Sequence, residues 1–281
     1  MPTTAPRKWL ITGADKGLGA SAARAALDRG DRVVVTVLDV NGRHPLTAEF
    51  PTTFRAFHLD ARDHDRMHAV VAEADKAFGG IDVLINNAGY GLAALAEETP
   101  AEKYRPLFEV NFFGLTEMTR AVLPVMRRQR SGHIINLSST AGFGATAGFS
   151  FYSASKFAVE GYSEALAQEV RHLGIRVTIV EPGPFRSDFA GPSLDSKLSA
   201  IADYAERGAW VESYVKTRHG TQPNDPAKFG PAMFRLVDAD DPPLRLPLGV
   251  EAIQHLKDEM SNVASELDRW QDLSRSTTFQ A

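Results

Sequence analysis

The feature that most constrains this chain is an alternation. Short apolar runs stand at "KWLIT" (8–12), "RVVVTVL" (32–38), "FRAFHL" (54–59), "IDVLINN" (81–87), "GHIINLSS" (132–139) and "IRVTIVEP" (175–182). Segments with helical periodicity separate them at 18–29, 63–78, 101–129 and 152–173. Several of the runs are nearly continuous Val and Ile, as strands are when both faces of their sheet are covered. Strand and helix in succession predict an α/β architecture: a doubly wound parallel sheet with right-handed crossovers.

Beyond residue 189 the pattern loosens into Gly, Pro and aromatics with helical fragments, and it tightens again near the end. Segment 226–237 reads as a helix, "LRLPLG" (244–249) as a last strand, and 250–274 as an exposed, charged helix. Because strand material returns at 244–249, it can join the same sheet. The expectation is one domain over 1–281, with 189–222 as a loose excursion and 250–281 as a C-terminal helical extension. The 281 residues, 43% of them hydrophobic, supply ample core for that. A formal charge of −4 argues against a nucleic-acid binder. The absence of cysteine excludes disulfides, thiolate nucleophiles and Cys-based metal sites, and it favours a reducing, cytoplasmic setting. No apolar stretch reads as a signal peptide or a membrane span.

The first strand runs into "TGADKGLGASAARAAL", with glycines at 13, 17 and 19. Glycine lets a backbone turn tightly and approach a ligand closely. The helix expected from about Gly17 presents free N–H groups to an anion such as a pyrophosphate. A glycine turn that follows a strand and opens a helix is the context of a dinucleotide site in a Rossmann fold. The spacing here is GxxxGxG, not the common GxGxxG.

A second constellation is "FYSASKFAVEGYSEAL" (151–166), where Tyr152 precedes Lys156 by one helical turn. Side chains at i and i+4 are neighbours on a helix. A phenol with a pKa of about 10 is a poor acid or base at neutral pH, and a nearby ammonium lowers that value.

Taken together, "TGADKGLG" (12–19), "NNAG" (86–89), "NFFG" (111–114), "NLSS" (136–139), "YSASK" (152–156) and "EPGPFRSDF" (181–189) resemble the short-chain dehydrogenase/reductase family, in order from about residue 8 to 190. The C-terminal third resembles a bacterial subgroup related to hydroxysteroid and retinol dehydrogenases. The resemblance implies a hydride-transferring oxidoreductase acting between NAD(P)(H) and a carbonyl or secondary alcohol. It implies Tyr152 as general acid/base, Lys156 as its tuner and a ribose ligand, and Ser139 as holder of the substrate oxygen. Ser138 competes, but the family's serine stands thirteen residues before the tyrosine, which selects Ser139. Asn111 would kink its helix and support a water linking Lys156 to solvent.

For the cofactor, the resemblance implies contacts from Gly13, Lys16, Gly17, Leu18 and Gly19 in the turn. Asp60 and Ala61 would meet the adenine edge, and Asn86, Asn87, Ala88 and Gly89 the adenosine ribose. Pro182, Gly183 and Ser187 would face the nicotinamide. Such reduction needs no metal: the cofactor supplies hydride, and the protein orients the partners and delivers a proton. Relatives commonly pair through the helices at 101–129 and 152–173, which implies a homodimer or homotetramer. With Phe189, Tyr204, Trp210 and Tyr214, region 189–222 suits a mobile apolar lid and an apolar substrate.

Cofactor choice divides the motifs. NAD-preferring enzymes usually end the second strand with an acid on the ribose 2′-hydroxyl. That position is Val37, followed by Leu38 where an NADP-side arginine would stand. Asp39 comes next and could still turn to the ribose, whereas Lys16 inside the glycine turn, with Arg43 in support, could meet a 2′-phosphate. The balance favours NADP(H), with NAD(H) as the alternative.

His64 and His68 beside Asp60, Asp63 and Asp65 lack a third ligand fixed by spacing and read as a solvated helix start, not a metal site. Two rival functions are a cofactor-sensing regulator without turnover and a nucleotide-sugar epimerase or dehydratase. Such regulators usually lose the tyrosine or the lysine, which this chain keeps. The epimerases carry a GxxGxxG turn and a larger C-terminal domain, which this chain lacks.

Overall fold

The computed structural model describes residues 5–38 and 44–279. In chain order the elements are β1 (Lys8–Thr12), α1 (Gly17–Asp28), β2 (Arg32–Val37), α2 (Pro45–Glu49), β3 (Phe54–His58), α3 (His64–Phe78), β4 (Val83–Asn86), β5 (Gly91–Ala93) and α4 (Ala101–Phe108). There follow α5 (Gly114–Gln129), β6 (Gly132–Leu137), α6 (Ser150–Val170), β7 (Ile175–Pro182), β8 (Leu194–Ser196), α7 (Ala205–Thr217), α8 (Phe229–Val237), β9 (Arg245–Leu248) and α9 (Val250–Ser276).

Seven strands form one sheet in the order β3-β2-β1-β4-β6-β7-β9. Every pairing is parallel, in registers such as Ile11 with Val35 and Asn86 with Asn136. This is the expected doubly wound α/β sheet. The continuous Val/Ile runs have their reason in the two cores. Trp9, Ile11, Val33 and Val35 face α1 and α8 in one layer, while Leu10, Val34, Leu84 and Ile134 face α3, α5 and α6 in the other. Each such side chain contributes roughly 1.5–3 kcal/mol through burial. Trp9 is also held by its indole N–H, which donates to Asp31 Oδ2 at 2.9 Å. β9 joins the sheet edge beside β7, so the C-terminal part returns to the same core.

Two departures from the sequence expectation stand out. Segment 101–129 is not one helix: at Asn111, where the resemblance implied a kink, a π-turn at Glu109–Phe113 separates α4 from α5. Asn111, fully buried inside it, spends its side-chain amide on the Tyr90 backbone, accepting from Tyr90 N and donating to Tyr90 O, both at 3.0 Å. The loose region also contains an unexpected strand, β8, which pairs in parallel with β5 as a miniature second sheet. That pair carries a third apolar cluster, in which Leu92, Leu107, Phe149, Tyr152 and Val211 pack together.

Candidate active site

The C-terminal ends of β1, β4, β6 and β7 open onto a cavity of about 800 Å³. It lies where the strand order reverses between β1 and β4, the place where open α/β sheets receive ligands. Gly13 turns the chain off β1 at φ +62°, and a Cβ there would come within 2.8 Å of Ala88 Cα. Gly19 stands behind the turn, not on the cavity wall. A Cβ there would sit 2.6 Å from Asn87 Nδ2, which instead donates to the carbonyls of Thr12 (2.9 Å) and Gly13 (2.7 Å). Thr12 Oγ1 completes the clamp, accepting from Asn87 N and Ala88 N at 3.0 and 3.1 Å.

No side chain caps α1, and its first turn holds no acid. Its leading N–H groups therefore remain available to an anion where Gly17 and Leu18 line the cavity. A tight glycine turn, an uncapped helix start and a long cleft fit a dinucleotide. Asp60, Ala61, Asn86, Asn87, Ala88, Gly89, Pro182, Gly183 and Ser187 all line the same cleft. Asp39 and Arg43 lie outside the described residues. Lys16 Nζ reaches Asp188 Oδ2 at 3.4 Å, an ion pair between the glycine turn and the segment after β7.

On α6, Tyr152 and Lys156 turn one face to the cavity and are 6% and 5% exposed. The Lys156 ammonium donates to Leu137 O at 2.8 Å and lies 5.9 Å from the centre of the Tyr152 ring. Burial pulls Lys156 down to about 8, against the pull of Glu160. The phenol departs from the sequence expectation. Burial pushes Tyr152 up, outweighing the lowering effect of its hydrogen bond with Ser139. The reason is geometric: the ammonium is engaged by a carbonyl instead of the phenolic oxygen. Of the two serines, Ser139 is the one beside the tyrosine hydroxyl, and its Oγ also accepts from Ala141 N at 3.1 Å. Ser138 is buried, its Oγ where a Cβ on Gly142 would fall.

Asn111 is not on the cavity wall. Besides Tyr90 it reaches Ser155 Oγ at 3.3 Å, and Ser155 in turn donates to Tyr152 O at 2.7 Å. It holds the π-turn, the backbone at Tyr90 and α6 together from behind.

Among the aromatics, Phe149, Phe189, Trp210 and Tyr214 line the cavity. Phe189 and Phe149 lie 5.4 and 6.3 Å from Tyr152, centre to centre, and Phe149 touches Tyr214 at 5.1 Å. Phe151 instead stacks on Tyr104 at 4.3 Å, and Tyr204 turns outward to donate to Glu97. Sequence reasoning passed over two polar members of this wall. Arg218, one turn beyond Tyr214, has a buried Nε without a hydrogen-bond partner, as does Oε1 of Gln222, itself 2% exposed. The spacing of 210, 214 and 218 on one helical face was the signal available.

Behind the site, one turn after Lys156, Glu160 Oε2 accepts from Arg245 Nε at 3.1 Å. Glu181, fully buried at the end of β7, is 3.8 Å from the same Nε. Burial and the neighbouring Glu160 push Glu181 up to about 7, with Arg245 acting in the other direction.

The family model described as short chain dehydrogenase matches residues 7–197. A crystal structure of a short-chain dehydrogenase from Streptomyces avermitilis is 39% identical, covering 99% of this chain and 100% of that one, with a TM-score of 0.90. Oxidoreductase BOA17 of Botryotinia fuckeliana is 35% identical over 268 residues, 95% of this chain and 97% of that protein. A 3-ketodihydrosphingosine reductase of Bacteroides thetaiotaomicron is 37% identical over 247 residues, 87% and 88% of the two chains. With its turn, sheet order and tyrosine–lysine helix in place, this chain belongs to the short-chain dehydrogenase/reductase family.

Proposed function

We propose that the protein is a nicotinamide-dependent carbonyl reductase or alcohol dehydrogenase acting on an apolar ketone or secondary alcohol. The observation that carries this reading is the convergence of Tyr152, Ser139 and Lys156 on the wall of one cleft with the glycine turn. When bound, the dinucleotide supplies or accepts the hydride. The chain's own residues do the rest. Ser139 and Tyr152 hold the carbonyl oxygen, and Tyr152 donates its proton to that oxygen as negative charge develops there. Its raised pKa keeps the phenol protonated at neutral pH, the form that reduction requires. The Lys156 charge then stabilises the phenolate left behind. A screen of ketones and secondary alcohols with each cofactor, followed by nicotinamide absorbance, tests the reading. Cofactor binding without turnover across the panel would favour the regulator instead.

The aromatic wall supports an apolar substrate body, with Arg218 and Gln222 as its polar contacts. Trp210→Ala and Tyr214→Ala should each shift KM across a substrate panel more than they shift cofactor affinity. Unchanged preferences in both would reduce these rings to packing.

We also infer a modest preference for NADP(H). Val37 offers no carboxylate at the end of β2, and Leu38 there is 64% exposed. The Lys16–Asp188 pair joins two half-exposed side chains and contributes only about 0–1 kcal/mol, so a phosphate can take the lysine from it. Lys16→Ala should erode NADPH affinity more than NADH affinity, and the difference should shrink with salt. Fluorescence titration with both reduced cofactors measures this; tighter NADH binding lost in Asp39→Ala would reverse the assignment. Phe113 and Phe157, 44% and 45% exposed on and beside the helices at 101–129 and 152–173, support a homodimer or homotetramer through that face.

A further inference from the structure

α9 is the longest of the described helices and buries little of its length. Of its 27 residues only Ala252 and Leu256 are buried, and every described residue from Ser261 onward is exposed. Its root is fixed: His255 Nε2 lies 2.9 Å from Gly144 O, and Leu256 packs on the body. The rest projects into solvent. A free helix of four or so turns is marginal in water on propensity alone.

The projecting part is not polar all round. Ile253, Leu256, Met260, Val263, Leu267 and Trp270 follow one another at alternating steps of three and four, the a and d positions of a heptad pattern. From Met260 onward this stripe is open: Met260 is 60% exposed, Val263 48%, Leu267 66% and Trp270 61%, with Leu273 beside it at 61%. Five such side chains leave apolar surface on the order of 500 Å², near the upper end for a lone monomer patch of ~300–600 Å². With the stems of flanking residues the helix approaches the ~800 Å² per partner of a stable interface.

We propose that the projecting half of α9 pairs with α9 of a second copy of this chain in a short, parallel, two-stranded coiled coil. The stripe is narrow, as a helix-to-helix seam is, and broadens only at Leu273. A two-fold pair places the same patch on both sides, so the seam is its own complement. The charges at its margins select the orientation. In a parallel pair Glu259 faces Ala264 and Glu266 faces Gln271, whereas an antiparallel pair would set Glu259 against Glu266. This contact is separate from the helices at 101–129 and 152–173. Through His255 and Gly144 it is tied to the loop that follows Ser139.

The test uses the full chain. Light scattering behind size-exclusion chromatography, from micromolar to submillimolar concentration, should give Leu267→Glu/Trp270→Glu half the mass of the wild type. Its cofactor affinity should not change, because neither side chain lines the cleft. The chain has no cysteine, so single replacements report contacts without background. Val263→Cys and Leu267→Cys should oxidise to covalent dimers, and Ser265→Cys, on the opposite face, should not. Equal masses for wild type and variant, or a monomeric wild type, would overturn the proposal. A mass that halves without cross-linking at either seam position would also overturn it, because the helix would then dock on the partner's body.

Discussion

Tyr152→Phe should abolish turnover, by about 10²–10⁴-fold in kcat, while cofactor affinity stays close to that of the wild type. The change removes one hydroxyl and leaves the ring packed against Phe149 and Phe189. Lys156→Ala should harm both kcat and cofactor binding, since the role proposed for its ammonium is to stabilise the phenolate and to hold the ribose. The pH dependence follows from the same two groups. The phenol is pushed up, so ketone reduction should hold across neutral pH and alcohol oxidation should rise with pH as phenolate becomes available. Reduction should weaken as pH rises through about 8, where Lys156 has lost half of its charge. Steady-state kinetics in both directions across pH, together with cofactor titration of each variant, checks this. A Phe variant with near wild-type rates would remove Tyr152 from the chemistry.

Arg245→Met should cost about 3 kcal/mol of stability at mildly alkaline pH, because it leaves the carboxylates of Glu160 and Glu181 buried without their shared cation. The cost should shrink in acid, where those groups take up protons. Glu181 itself sets a second expectation. Its pKa is raised from 4.5 to about 7, so between those values the folded chain holds more protons than the unfolded chain, and stability falls as pH rises through that window. Buried His133 is pulled down from 6.5 to about 4 and contributes with the opposite sign in an overlapping window. Glu181→Gln removes only the falling component. Relative to wild type, the variant should gain about 2–3 kcal/mol between pH ~4.5 and ~7. Urea unfolding of both proteins at several pH values measures the difference, and a pH-independent difference would show that Glu181 does not titrate there.

The strands were legible because β1, β2, β4, β6 and β7 are buried on both faces, and continuous Val and Ile can mean little else. The kink at Asn111 was legible only through the family resemblance, and its form as a π-turn was not. The apolar pattern runs unbroken across Glu109–Phe113, and what bends the helix is Asn111 reaching back to Tyr90. β5 and β8 are three residues each and far apart in sequence, so neither carries a period to detect. The motifs of the cleft could be read locally, each within a few residues of chain, but the directions of their side chains could not. That Lys156 points to Leu137 O and not to the phenol, and that Gly19 and Asn111 stand behind the wall, depends on packing between elements. Glu160, Glu181 and Arg245 meet only once β9 lies beside β7. In α9 the apolar steps of three and four are interleaved with abundant charges, which by themselves read as a solvated helix.

The proposed reaction is hydride transfer to a carbonyl carbon with Tyr152 as proton donor. Its most direct test is mass spectrometry of product formed from a ketone and NADPH deuterated on the transferable face of nicotinamide C4. One deuterium should appear at the carbinol carbon with wild-type protein, and no labelled alcohol with Tyr152→Phe. Labelled alcohol formed equally by both proteins would contradict it, and so would a wild type that binds the cofactor yet transfers no deuterium to any ketone in the panel.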